Sequence, residues 1–209
     1  MEICKTLVDY TEIIHLKQAL TPDEYTSVVD QILKYKQDRT PTGFENTLNT
    51  QGNTNCWRGE PFQNNGFDQL TQDLLLDKIS KSVEYFVNNM PILDSQKQSL
   101  SSRSRHIEIW ANVNDPDSTN IIHLHTGCFL SGVIYLQATD TGSIEFISSN
   151  WLNRHTSLPW PFHNTHVFHP NDGDILLFPS YLFHQVNRNN SAKYRINLAF
   201  NVSLLEENV

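Results

Sequence analysis

The chain has 209 residues, with 15 Lys+Arg against 23 Asp+Glu and a formal net charge of −8; that length suits a single domain and that acidity argues against a nucleic-acid binder. Hydrophobic residues make up 38% and aromatic residues 11%, enough for a packed core and too much for a disordered chain. Cys4, Cys56 and Cys128 are odd in number and widely spaced without a CxxC, which excludes a disulfide framework or a cysteine-rich zinc site and fits a reducing cytosol.

Glu2, Lys5, Asp9, Glu12 and Lys17 interrupt the first residues, so no targeting segment is expected there, and no apolar run approaches the ~18 residues of a membrane span. Residues 1–100 read as a helical framing region with a long loop. Thr21-Pro22-Asp23-Glu24 supplies a cap, a proline at the first helical position and two carboxylates ahead of Tyr25, Val28, Val29, Ile32, Leu33 and Lys36, which predicts a first helix. Residues 37–66, rich in Asn, Thr, Gly and Gln, read as a loop with Trp57 as its only large anchor. Phe67, Leu70, Leu74, Ile79, Val83 and Phe86 recur at three-to-four spacing and predict a second helix over 67–87, stopped by Asn88, Asn89 and Pro91.

From residue 103 the period changes to two. His106, Glu108, Trp110 and Asn112 alternate with Ile107, Ile109, Ala111 and Val113, and short β-rich runs follow at 121–125, 130–137, 143–147, 174–178, 184–187 and 194–202, separated by Gly, Asn, Asp and Pro. Helices first and strands afterwards predict a mainly β chain with N-terminal helices (α+β), an antiparallel sandwich or jelly roll buttressed by helices on one side.

Eight of the nine histidines follow residue 105. His123 and His125 stand two apart in a predicted strand, so both rings project from one face while Leu124 points the other way into apolar packing. Neutral imidazoles suit Fe(II), Zn, Ni and Cu, although a lone HxH pair can equally fill a half-buried face. Downstream, Gly173-Asp174-Ile175-Leu176-Leu177-Phe178-Pro179 delivers a strand and a turn, and His184 begins the next strand. Arg195 follows eleven residues later across a polar turn, so a hairpin can return its guanidinium beside the imidazole. An arginine buried there requires an anion, and its planar fork matches a carboxylate.

His123-Leu124-His125, the Leu130-Ser131-Gly132-Val133-Ile134-Tyr135-Leu136 segment, Phe178-Pro179-Ser180 with His184, and Arg195-Ile196-Asn197-Leu198-Ala199-Phe200-Asn201 together resemble the 2-oxoglutarate- and Fe(II)-dependent oxygenases. Within them the chain resembles a branch of small bacterial and phage proteins with HxHxxxxxSGxxYL, FPSxxxHxV and RxNxAFN segments. The resemblance covers roughly residues 103–202. It implies a double-stranded β-helix (jelly roll, cupin-like) over 101–205, one domain over 1–209, and Fe(II), 2-oxoglutarate and molecular oxygen as cofactors and co-substrate. It further implies decarboxylation of 2-oxoglutarate to succinate with hydroxylation of a peptide, an amino acid or a small metabolite.

The same resemblance places iron on His123, His125 and His184 and the far carboxylate of 2-oxoglutarate on Arg195, with Ser131, Tyr135 and Asn197 as hydrogen-bonding candidates. The superfamily expects a carboxylate where His125 stands. Three arrangements stay open: a three-histidine face, an HxG pair of His125 and Gly127 with His123 outside the ligand set, or a carboxylate recruited from Glu108 or Glu145. The expected partners are a small-molecule or peptide substrate and at most a second copy in a homodimer, with no nucleic acid and no membrane. The expected location is cytoplasmic, the host cytoplasm if the chain is phage-encoded.

Plainer readings stand beside these. Trp110, Phe129, Phe178, Phe183 and Phe200 are core residues by default. The stretch 148–170, with Trp151, Trp160, His155, His163, His166 and His169, is a lid over the site or a solvated connection. Cys128 is a small apolar filler. The rival class is a cupin-like metal protein, an isomerase, a 2-oxoglutarate-independent dioxygenase or a binding module. Arg195 and the missing glutamate after the HxH pair argue against it.

Overall fold

The computed structural model describes residues 2–8, 11–39, 56–59, 67–147 and 165–205. It opens on two strands, β1 (Glu2–Val8) and β2 (Thr11–Lys17), paired antiparallel from Glu2↔Lys17 to Val8↔Thr11, which corrects the purely helical reading of the N-terminal region. Ile13 and Ile14 of β2 are both fully buried, in two different cores, so this strand carries no alternation to betray it. Helix α1 (Pro22–Arg39) begins at a reciprocal capping box: the Glu24 amide donates to Thr21 Oγ1 at 3.3 Å and the Thr21 amide to Glu24 Oε2 at 2.7 Å. Part of the expected loop is a strand, β3 (Cys56–Arg58), laid on an edge of the sheet, with Trp57 buried edge-on against Tyr35 of α1.

Helix α2 (Gln69–Asn89) is capped by Asp68, whose carboxylate accepts the Thr71 amide at 2.8 Å. Its buried stripe runs through Leu75, Ile79, Val83, Phe86 and Val87, while Leu70 is 81% exposed and Leu74 half-buried. The predicted face was therefore misplaced at its first turns. A short helix, α3 (Asp94–Ser102), buries no residue and so offered no apolar stripe to read. Among the described residues no helix is long and apolar enough to cross a membrane.

The remaining strands are β4 (Arg105–Asn114), β5 (Asn120–His123), β6 (Leu130–Gln137), β7 (Ile144–Ile147), β8 (Thr165–Phe168), β9 (Ile175–Pro179), β10 (Phe183–Val186) and β11 (Arg195–Leu204). They form a seven-stranded sheet ordered β1-β2-β9-β6-β11-β4-β3 and a four-stranded sheet ordered β5-β10-β7-β8, antiparallel throughout. The arrangement resembles a jelly roll. Among the described residues the two sheets do not join into a closed barrel. Strand β8 lies within the stretch expected as loop or lid, whose residues 148–164, including Trp151, His155, Trp160 and His163, fall outside the described residues.

Period-two alternation then sorts the major sheet into two chemically different faces. Ile109, Ala111 and Val113 of β4, Ile134 and Leu136 of β6, Ile175 and Leu177 of β9 and Ile196, Leu198 and Phe200 of β11 pack with Val28, Ile32, Leu75, Ile79 and Val83 of the helices. The intervening residues, among them Glu108, Trp110, Asn112, Tyr135, Arg195, Asn197 and Asn201, line a cavity toward the minor sheet. Phe178 and Phe200 are core as expected, but Phe183 is 39% exposed.

At the centre of the major sheet, a Cβ on Gly132 would strike the Phe200 ring and come within 2.6 Å of the Leu176 carbonyl oxygen. Neither a packed ring nor a paired strand can withdraw cheaply. Gly132→Ala is therefore expected to cost about 3 kcal/mol, read as a lowered urea midpoint at unchanged m-value.

Candidate metal centre

His123 closes β5, His184 lies in β10, and the two are paired across the antiparallel ladder, so their side chains share a face. His125 does not reach them as a strand residue. Strand β5 ends at His123, and His125 is carried by the following turn, its backbone N–H donating to the Ser180 carbonyl at 2.9 Å. The Ser180 hydroxyl in turn donates to the Cys128 carbonyl, tying the turn to the end of β9. Leu124, expected in apolar packing, instead borders the cavity.

The three rings nevertheless converge. Their ligand atoms all lie within 4.8 Å of one another. Ring centroids are 4.3 Å apart for His123 and His184, and 5.3 Å for His125 with each of the others. His123 Nδ1 is 2.7 Å from the Ile121 carbonyl oxygen and His184 Nδ1 is 2.9 Å from that of Leu182. A carbonyl only accepts, so each Nδ1 carries the proton and each Nε2 keeps its lone pair for a metal.

Electrostatics fix the protonation state. Burial first, and then the neighbouring His123, push His184 down to about 3 and His125 down to about 4; burial also lowers His123. All three are neutral at neutral pH, the form that ligates. Glu108 lines the same cavity but lies outside the three-histidine group. Glu145 accepts a 2.7 Å hydrogen bond from Gln185 and is not among the lining residues. Gly127 is exposed, at φ +78° with open space around its Cα, and is likewise not part of the lining.

The cavity measures ≈ 550 Å³. Opposite the histidines, on the first residue of β11, is Arg195, only 2% exposed, with a buried Nε that has no hydrogen-bond partner among the described residues. Burial lowers its pKa, yet a guanidinium stays charged in proteins. The two groups that act on it electrostatically are Tyr135 and Cys56. Burial pushes the Cys56 thiol up to about 12 and raises the Tyr135 phenol as well, so neither supplies a negative charge at neutral pH. The chemistry missing from this floor is an anion with two oxygens, the match for a guanidinium fork.

Tyr135 and Asn197 line the cavity beside Arg195, and Asn112 donates to Asn197 Oδ1 at 3.0 Å. Ser131 does not line it; its hydroxyl donates to Asn201 Oδ1 at 2.8 Å, and Asn201 does. Sequence reasoning missed Arg58, which lines the cavity from β3 with its guanidinium carbon 4.5 Å from the Trp110 ring centroid. It also undervalued Trp110, which is buried as expected but stacks on His125 with centroids 6.0 Å apart. The signal was available only for Trp110, which shares the polar face of β4 with Glu108 and Asn112.

Residues 108–201 match the family model described as "Putative 2OG-Fe(II) oxygenase". That match spans 94 of the 209 residues and includes the three histidines and Arg195. A search of curated proteins found none that matches it. Among solved structures, a similar fold is found in HygX from Streptomyces hygroscopicus with nickel and 2-oxoglutarate bound (15% identity, 94% of this chain and 84% of that one, TM-score 0.63). It recurs in a Pseudomonas putida prolyl-4-hydroxylase (15% identity, 93% of each chain, TM-score 0.56). The carbocyclase SnoK from nogalamycin biosynthesis shares it too (12% identity, 92% of this chain and 79% of that one, TM-score 0.66).

Proposed function

We propose that the chain is a non-haem Fe(II)- and 2-oxoglutarate-dependent oxygenase that hydroxylates a peptide, an amino acid or another small metabolite. One observation carries the reading: three neutral histidines converge on one wall of a cavity whose opposite wall holds Arg195, a buried cation with an unpartnered Nε. On this reading His123, His125 and His184 hold Fe(II). Arg195 takes the far carboxylate of 2-oxoglutarate, with Tyr135 and Asn197 as hydrogen-bonding neighbours and Ser131 acting through Asn201.

Bound there, Fe(II) and 2-oxoglutarate supply the oxidative decarboxylation by molecular oxygen that yields succinate and carbon dioxide and oxidises a substrate C–H bond. The protein's own residues bind and orient. The Ile121 and Leu182 carbonyls fix the tautomers of two imidazoles, so Nε2 is presented without a proton to displace. Arg195, only 2% exposed, would meet the dianionic co-substrate away from bulk water, where an ion pair is less screened than at the surface. Three neutral ligands leave the metal's full double charge in the site, which favours an anionic co-substrate more than a face containing a carboxylate would.

Anaerobic titration of the Fe(II)-loaded protein with 2-oxoglutarate tests the reading. Chelation is expected to raise a weak visible metal-to-ligand absorption band. Its absence from iron-replete protein would overturn the proposal and leave a metal protein of the cupin-like kind.

A further inference from the structure

We propose that Asn201 is a positioning residue of the metal centre, whose side-chain carbonyl holds the N–H of the His125 ring so that the other ring nitrogen faces the ion. The inference rests on the oxygenase reading above and deepens it, because it says how a histidine serves where the oxygenases it resembles carry a carboxylate. His123 and His184 are each oriented by a backbone carbonyl two residues earlier in the chain, those of Ile121 and Leu182. His125 is carried by a turn, and the acceptor its ring finds is a side chain, that of Asn201. The need for one is geometric. Stacking between Trp110 and His184 sets the plane of the His125 ring but leaves open which nitrogen points inward, whereas a hydrogen bond in that plane decides it.

The backbone brings the two residues together independently of that bond. The turn after His125 is strapped to the end of β11: the Phe129 amide donates to the Val202 carbonyl at 2.8 Å, and the Ser203 hydroxyl to the Gly127 carbonyl at 3.4 Å. Asn201, one residue before Val202, lines the cavity, and Ala199 pairs with Trp110, whose ring lies on His125. The amide is itself pinned. Ser131, fully buried and in register with Asn201 across the β6–β11 ladder, donates its hydroxyl to Asn201 Oδ1 at 2.8 Å. A carbonyl oxygen has two lone pairs, so one takes the serine hydroxyl and the other the imidazole N–H. Asn201 stands six residues beyond Arg195 on β11, about 20 Å along the strand, too far to share a carboxylate with that guanidinium. Ser131 therefore acts through Asn201 on the metal-binding ring.

The test uses the full chain with Co(II) alone as the probe. Its visible absorption reports binding, and its paramagnetism shifts the exchangeable N–H proton of each ligated imidazole away from the other protein signals. Wild type is expected to show one such signal for each ligated ring, three in all. Asn201→Leu is expected to lose one, because an N–H without an acceptor exchanges quickly with water, and to bind Co(II) about 10–100-fold more weakly, the usual cost of an outer partner. Asn201→Asp keeps an acceptor in the same place and should restore both the signal and an affinity within about threefold of wild type. Ser131→Ala frees the amide to rotate and should speed exchange of that same proton at least threefold, which keeps the inference open to test if the leucine variant does not fold. The inference is overturned if Asn201→Leu keeps every wild-type signal and the wild-type affinity, if Asn201→Asp loses what Asn201→Leu loses, or if Ser131→Ala leaves the exchange unchanged. A wild type that takes up no Co(II) overturns the metal centre and the oxygenase reading, and this inference with them.

Discussion

Arg195→Met is expected to abolish stabilisation by 2-oxoglutarate while leaving the ligand-free protein at least as stable as wild type. The two halves of the result have one cause. Without its ligand, Arg195 is a cation withdrawn from water beside a phenol and a thiol that both stay protonated, with its Nε unpaired. Replacing such a charge with a hydrophobe of similar reach removes a desolvation cost and keeps the apolar packing of the stem. With the ligand, the same charge is one partner of a buried ion pair, and removing one partner costs about 3–5 kcal/mol, or roughly two to three and a half orders of magnitude in Kd. At a hundredfold excess over Kd, 2-oxoglutarate should stabilise the wild type by about 2.7 kcal/mol, a rise in Tm of about 5–10 °C for a chain of this size. The variant should show none of that rise at the same concentration. A variant that keeps the rise, or whose ligand-free Tm falls by several degrees, would mean that Arg195 already has its partner within the protein.

The parts of this site that were legible in the sequence are those held by local pattern. The period-two run of β4 placed Glu108, Trp110 and Asn112 on one face before any partner strand was known, but the expected hairpin between His184 and Arg195 is not formed: β10 and β11 lie in different sheets, and the connection between them carries the chain across so that both residues line one cavity. What was illegible depends on contacts distant in the chain. Strand β2 is buried on both faces and pairs through Ile14↔Leu177, so its apolar residues do not alternate. Strand β3 has three residues in an Asn-rich segment and exists because β4 offers an edge; with it, Arg58 was hidden. His125 reached the cluster by a different route from the one expected. Its position depends on a backbone hydrogen bond to Ser180, across a separation that no strand period encodes.

Metal retention is expected to fall more than a hundredfold in His184→Ala and comparably in His123→Ala, because the two rings are direct cross-strand neighbours with presented Nε2 atoms. Losing a direct ligand should cost more than the roughly 10–100-fold typical of an outer partner. Metal analysis after gel filtration reads this, and full metal content in His123→Ala would favour the HxG pair of His125 and Gly127 instead. Protons give the complementary profile. Exposed histidines would begin to exchange metal for protons near their ordinary pKa of ~6.5, but burial holds His184 near about 3 and His125 near about 4. Metal affinity should therefore be nearly flat from pH 8 down to about 5. Folding stability should behave differently over the same interval. Below pH ~6.5 the unfolded chain binds protons at these histidines while the native chain does not, so stability falls as pH falls, at about 1.4 kcal/mol per pH unit for each such group. A chelator-treated sample should accordingly lose several degrees of Tm between pH 7 and 5, and a metal-loaded one should lose as much from a higher starting Tm, because a pH-independent affinity adds the same increment at each pH. A metal-loaded sample with no higher Tm than the chelator-treated one would show that no ion sits on these three rings.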